Sequence, residues 1–358
     1  MQIEKLYPAC KEIVWGGKKL KEKYGKITDK DPCAESWELS FHKDGLTTLA
    51  NGKSLAESVT AQELGKNTEG FPFFPTLIKF IDAEANLSVQ VHPSDEYALQ
   101  NENSFGKTET WYIIEAEQGA GIYLGFNRDV TKEEYEQAIV ENRLTELLNF
   151  YEVKAGECYF IPSGTIHAIG KGCLICEIQQ NSNLTYRVYD YGRVGMDGKP
   201  RELHVEKALK VTNLNRYEYA PVKANSADAG EVLAVSKYFT VKKYAVQGSA
   251  VLTADEYSFR CVTCVQGEAT IESQAMRAGD SFFVPAGYGN YTVQGNADLV
   301  VSEVRRYAFS ADESGAKITD DLGNILISMQ NDGGRYEMND LKARLLASVY
   351  MTENDLED

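Results

Sequence analysis

Four side chains in this sequence could jointly bind a cation. In the stretch VQVHPSDEYA, Gln90 and His92 stand two apart on what reads as a strand, so both face the same side while Val89 and Val91 face the other. Glu109 comes just before a strongly β run in GKTETWYII, where a carboxylate pointing inward needs a partner. His167 closes a glycine, five residues, Pro-x-Gly, two residues, His pattern in AGECYFIPSGTIH. Two imidazoles, a carboxylate and an amide oxygen form a mixed N/O set suited to one Zn²⁺ per chain, with Mn²⁺, Co²⁺ or Fe²⁺ as substitutes. Taken alone, each has a plainer reading: a hydrogen-bonded core histidine for His92, a strand-edge carboxylate for Glu109, a solvated amide for Gln90.

The elements that must position this set are short strands. TLIKFIDA, LSVQVHP, TWYIIEA, GAGIYLGF, CYFIPSG, LICEIQQ and LTYRVYDYG, then YSFRCVTCVQG, DSFFVPAG and LVVSEVRRYAF, are bounded by turn residues, which points to sandwiches or barrels. One helical insertion is expected around residues 131–149. Thr131 and Glu134 form a capping box, and Tyr135, Ala138, Ile139, Leu144, Leu147 and Leu148 follow at helical spacing. Further helices are expected in AESVTAQELG and RELHVEKALKVT. His42, before a turn, and His204, near a helix start, are expected to be structural.

The two halves repeat. Residues 155–167, AGECYFIPSGTIH, and 278–290, AGDSFFVPAGYGN, share five of thirteen positions without a gap. His167 in the first copy becomes Asn290 in the second. The pattern resembles the second motif of the cupins, which implies a mainly β fold of two cupin-like jelly-roll barrels, with the metal in the N-terminal one. The expected division is a catalytic unit over 1–225, a second unit without the metal histidine over 226–306, and an extension over 307–358. In that extension a strand is expected in DLGNILISMQNDGG. A helix capped by Asn339, with Leu341, Leu345, Leu346 and Val349 on one face, is expected to dock on the second unit or on another copy in a homo-oligomer.

Bulk properties bound the partners. The 358 residues carry 37 basic and 53 acidic side chains, a net charge of −16, which excludes nucleic acid and anionic membranes as expected partners. An anionic substrate would therefore require cations concentrated in one pocket. The charged N-terminus lacks an apolar signal core and no long apolar run occurs, so a cytoplasmic enzyme is expected. The seven cysteines read as reduced. Within CLIC and CVTC the two cysteines of each pair point to opposite faces of a strand, against chelation of one ion.

In order along the chain, VWGGKKL, ESWELSFH, VQVHPSDEYA, GKTETWYII, FIPSGTIHAIGKG, EIQQNSNLTYRVYDYGR and RELHVEKAL resemble the short bacterial form of the type I mannose-6-phosphate isomerases, zinc-dependent cupin enzymes. The likeness spans about residues 5–306. It implies metal ligation by Gln90, His92, Glu109 and His167. It also implies an essential arginine at Arg187, a catalytic carboxylate at Glu177 and a lysine at Lys107, with Arg193 as a further substrate cation. The reaction implied interconverts mannose 6-phosphate and fructose 6-phosphate through a cis-enediol or enediolate, with Glu177 and Lys107 both open as the base. Rival readings are a cupin-type phosphoglucose isomerase, which the motif order disfavours, and a non-catalytic sugar-phosphate-binding regulator, which needs neither an open metal nor Arg187. An Fe²⁺ cupin dioxygenase would not need three cations beside the site.

Overall fold

The structure is a computed structural model. It describes residues 1–71, 74–221 and 230–305, and the backbone of 308–312, 315–319 and 325–330. Antiparallel sheets dominate it, as expected of a mainly β chain. A six-stranded sheet runs in the order Ala9–Lys11, Glu35–Leu39, Thr76–Asp82, Cys173–Gln180, Glu109–Ala116, Cys158–Ile161. A five-stranded sheet runs Tyr186–Tyr189, Val89–Val91, His167–Ile169, Gly121–Phe126, Leu148–Glu152. Trp111, Ile113 and Ile175 from the first sheet pack with Ile122, Leu124 and Ile169 from the second.

The six-stranded sheet is covered on its other face as well. Ile78, Phe80, Cys176 and Ile178 pack there with Phe239, Val241, Cys261 and Phe283 of the C-terminal half. This two-sided burial explains why Thr76–Asp82 and Cys173–Gln180 read as nearly unbroken apolar runs and are buried at every position. It also splits the CxxC pairs. Cys173 and Cys176 lie in different core clusters, as do Cys261 and Cys264.

The C-terminal half is a seven-stranded sheet with the path Glu4–Lys5, Ser281–Val284, Arg260–Ile271, Gly289–Val304, Phe239–Ala254, Glu231–Val235, to which Gln274–Arg277 adds at Arg260–Ile271. The first residues of the chain thus belong to its last large sheet. A buried ion pair of the N-terminal half is tied to the C-terminal half through Ser281. Lys26 Nζ lies 2.6 Å from Glu38 Oε1, and Ser281 Oγ donates to Glu38 Oε2 at 3.0 Å. The two repeat copies fold alike, each with a strand, Cys158–Ile161 or Ser281–Val284, then a Pro-x-Gly turn with left-handed Gly164 or Gly287.

The expected helix over 131–149 is shorter than its apolar stripe. The Thr131–Glu134 capping box is present and the helix runs Lys132–Val140. Asn142 then turns left-handed, Leu144–Leu147 forms a 3₁₀ turn, and Leu148 opens a strand. The leucines fit helical spacing, yet Leu144 and Leu148 reach the same core from a turn and a strand, where sheet pairing with Phe126 decides their conformation. AESVTAQELG likewise divides into two single turns, Leu55–Ser58 and Ala61–Leu64, each with its own capping box. Val205–Val211 is helical as expected. The strand expected in the extension is Ile325–Gln330, in a three-stranded sheet with Ala308–Asp312 and Gly315–Thr319. The helix expected from Asn339 lies outside the described residues. Among the described residues no helix is long and apolar enough to cross a membrane.

Candidate metal centre and substrate cavity

His92, Glu109 and His167 converge although they lie far apart in sequence, and strand register explains how. Gln90 pairs with His167 on one side and with Arg187 on the other. Glu109 opens a strand of the six-stranded sheet, which faces the five-stranded one. Ligand atoms of His92, Glu109 and His167 all lie within 4.8 Å of one another, and all three residues are buried. His92 Nε2 is 3.6 Å from Glu109 Oε2, and His167 Nε2 is 3.3 Å from Glu109 Oε1. The Gln90 amide joins them, its Nε2 at 3.5 Å from His167 Nε2 and its Oε1 at 3.4 Å from Ser88 Oγ.

The proton positions favour metal binding. His92 Nδ1 lies 2.8 Å from the Leu184 carbonyl and His167 Nδ1 2.8 Å from the Thr165 carbonyl. A carbonyl can only accept, so each Nδ1 carries the hydrogen and each Nε2 turns a lone pair toward Glu109. Burial, reinforced by the Lys107 charge, holds the His92 imidazole well below its usual range and His167 down to about 3, so both are neutral. Glu109 Oε1 is buried and receives no hydrogen bond. Burial pushes this carboxyl up against the pull of Lys107, a cost that a cation between the two imidazoles would offset. The residues present therefore fit a divalent ion.

Lys107 faces the same point. Its Nζ donates to Glu109, lies 3.2 Å from His92 Nε2 and 3.5 Å from Glu177 Oε1. Burial alone would lower its pKa, but Glu109 and Glu177 outweigh burial and keep the ammonium charged. Glu177 also accepts from Trp111 Nε1 at 3.1 Å. Burial pushes its carboxyl up, yet Lys107 and Lys79 prevail and hold it at about 2.

These groups border a cavity of 280 Å³ whose wall includes Gln90, Lys107, Glu177 and Arg187. Arg187 is held there by Ser88 Oγ, 3.2 Å from its Nε, and by the Glu202 carbonyl, 2.9 Å from Nη1. Arg193 is placed differently. Its guanidinium stacks 5.3 Å over Tyr191 and donates to Asp190 at 2.6 Å and to the Asn86 carbonyl, while Arg201, bound to the same Asp190, lines the cavity. Sequence reasoning missed Arg201, Ser88, Glu35 and Lys79. Lys79 carried a usable signal, a charge in the middle of a largely apolar strand. His42 packs edge-on against Trp37, and His204 occupies a helix N-cap without a side-chain capping bond.

Two family descriptions match the chain, "Phosphomannose isomerase type I, catalytic domain" over residues 3–119 and "Mannose-6-phosphate isomerase, cupin domain" over 230–304. A probable mannose-6-phosphate isomerase of Bacillus subtilis is 37% identical over 310 residues, 83% of this chain and 98% of that protein. The chain belongs to the type I mannose-6-phosphate isomerase family. Streptococcus mutans mannose-6-phosphate isomerase is 37% identical, covering 81% of this chain and 94% of its own. The crystal structure of Bacillus subtilis mannose 6-phosphate isomerase superposes with a TM-score of 0.76 at 33% identity, covering 84% of this chain and 99% of that one. As in a cupin-type mannose-6-phosphate isomerase, a mainly β scaffold here carries a histidine-carboxylate site suited to a metal.

Proposed function

We propose that this chain is a metal-dependent aldose–ketose isomerase that interconverts mannose 6-phosphate and fructose 6-phosphate through a cis-enediol or enediolate. One observation carries the reading: two imidazoles with their Nδ1 protons committed to backbone carbonyls face a buried carboxylate at the edge of a cavity that also presents lysines and arginines. His92, Glu109 and His167 would hold the metal, with Gln90 as fourth ligand and Zn²⁺ as the ion that suits this donor set. Bound there, the metal supplies a Lewis acid for the sugar's oxygens.

The remaining work falls to the chain. Arg187, braced by Ser88 and Glu202, presents a fixed guanidinium to an anionic substrate, and Arg201 adds a second cation on the same wall. Lys107, held as an ammonium, has a proton to place on a substrate oxygen. Glu177 enters ionised, and its Oε2 receives no hydrogen bond, so it is our candidate to accept the proton that moves between C1 and C2. Arg193 acts through Asp190 by sharing the carboxylate that orients Arg201. We assign catalysis to residues 1–225 and read 226–306 as a second cupin-like unit, with a cytoplasmic setting. The test is turnover of mannose 6-phosphate to fructose 6-phosphate by metal-replete protein beside chelator-treated and Arg187→Ala samples. No product from the replete protein sinks the reading.

A further inference from the structure

The segment that leads into the Tyr186–Tyr189 strand alternates in chemistry. Leu184, Tyr186 and Val188 pack on the outer face of the five-stranded sheet, with Tyr135, Ile139 and Ala208 of the helices that cover it. The opposite parity, Asn183, Thr185 and Arg187, lines the reaction cavity. A period of two separates the two sets.

Register fixes where each inner residue falls. Tyr186 pairs with Val91 and Arg187 with Gln90, so one further step along the same antiparallel ladder brings Thr185 to His92. Residues opposite each other share a face, and Thr185 therefore stands beside a histidine of the candidate metal centre as Arg187 stands beside Gln90. The chain is held on that path. The Leu184 carbonyl accepts from His92 Nδ1 at 2.8 Å, and Leu184 N donates to Ser182 Oγ at 3.3 Å.

Thr185 is half-buried, and its hydroxyl meets no hydrogen-bonding partner among the described residues. Buried hydroxyls elsewhere in this half are satisfied by backbone carbonyls, Thr47 by Trp37, Thr110 by Tyr159 and Ser182 by Phe105. Valine would serve the strand equally well, being β-branched too, so local structure gives no reason for a hydroxyl facing the cavity. Asn183 is exposed and turns its amide nitrogen to Asp44 Oδ2, 3.4 Å away. Thr185 is thus the uncommitted polar group next to the metal centre. Trp15, Ile81, Leu87 and Ile169 add apolar wall to the same cavity, a surface suited to the carbon skeleton of a sugar.

We propose that Thr185 is a specificity-determining residue of the reaction cavity, its hydroxyl hydrogen-bonding the C3 hydroxyl of the sugar phosphate. The assignment rests on the isomerase reading above: with the C1 and C2 oxygens at the metal centre, the C3 hydroxyl is the next polar group along the sugar and falls against the residue beside His92.

The test is titration calorimetry of two probes into the metal-replete full chain and its Thr185→Val and Thr185→Ser variants, with thermal melting to check the fold. One probe is the hexitol 6-phosphate obtained by reducing mannose 6-phosphate, the other its 3-deoxy counterpart. Neither has a carbonyl, so binding is read without turnover. The wild type should bind the hydroxylated probe about tenfold more tightly than the 3-deoxy form, Thr185→Val should bind the two alike, and Thr185→Ser should restore the preference. A preference that survives Thr185→Val, an equal loss of both probes in that variant, or no binding by the wild type overturns the proposal. Turnover of mannose 6-phosphate is followed separately. No turnover by a wild type that still shows the Thr185-dependent preference would fail the isomerase reading alone.

Discussion

Lys79 and Glu177 stand directly opposite each other on neighbouring strands of the six-stranded sheet, with their charged groups 3.5 Å apart on the face that borders the reaction cavity. Lys79 also lies 3.7 Å from Glu35 and 5.0 Å over the Trp37 ring. Removing one partner of a buried pair costs about 3–5 kcal/mol where it strands a charge; here Glu177 keeps Lys107 at 3.5 Å, so the cost falls toward the lower end. Lys79→Met should therefore lower the urea midpoint strongly and cut kcat, because Glu177 loses one of the cations that keep it ionised. The double variant Lys79→Met, Glu177→Met should unfold closer to wild type than Lys79→Met does. A Lys79→Met protein with the wild-type midpoint would show that the pair contributes nothing to folding.

His92→Ala removes a neutral imidazole whose Nδ1 proton is anchored to Leu184 and leaves its backbone link intact, in which the His92 carbonyl accepts from Gly164 N at 2.8 Å. The fold should survive and the metal should not. Loss of an outer partner of a metal ligand already weakens binding by about 10–100-fold, so loss of the ligand itself should weaken it at least that much. Elemental analysis after dialysis should give well under one metal per chain, with turnover near background. Stoichiometric metal in the variant would remove His92 from the ligand set.

Gly106 sits where the chain returns from the Asp95–Asn101 helix to Lys107. A Cβ there would lie 2.5 Å from the Ser94 carbonyl carbon and 2.6 Å from the Pro93 oxygen, an oxygen that accepts from Lys107 N at 3.1 Å. Backbone cannot yield as a flexible side chain would, so Gly106→Ala must shift the Pro93 to Ser94 segment beside His92. Asp95, which accepts from Gly106 N at 2.9 Å and from Gln180 at 2.8 Å, would carry the shift to Tyr238 of the C-terminal half, which donates to its other oxygen. Metal affinity and kcat/KM should fall together by at least about tenfold while most of the fold persists. Unchanged kcat/KM would mean that the segment relaxes without moving the site.

How much of this was legible in the sequence depended on whether the signal was local. Gln90 lies on the Val89–Val91 strand with His92 just past its end, both at the same site, and the two Pro-x-Gly turns sit in matching contexts, so period and repeat sufficed for them. Arg201 was hidden because its role comes from a loop that shares Asp190, and the Lys79 charge, visible within its apolar strand, did not name Glu177 as its partner across strands. Arg193 carried the family resemblance, yet the shared carboxylate turns Arg201 toward the cavity instead. The helix expected across 131–149 failed at its second half because tertiary pairing of Leu148 with Phe126 overrode a spacing that suits either element.

Asp190 makes that arrangement sensitive to acid. Burial alone would raise its carboxyl, but hydrogen bonds from Arg201 and Arg193 outweigh burial and hold it below the usual carboxylate value. A carboxylate whose folded pKa is depressed stabilises the fold above its unfolded pKa, about 3.9, and that contribution is lost as pH falls through the lower folded value. The difference in urea stability between wild type and Asp190→Asn should therefore be constant above about pH 5 and shrink as the solution is taken below about pH 4. At neutral pH the variant should show a raised KM for mannose 6-phosphate with a smaller change in kcat, because Arg201 loses its orienting partner while the metal ligands are untouched. A stability difference that stays flat down to pH 3 would mean that the two arginines gain nothing from the charge on Asp190.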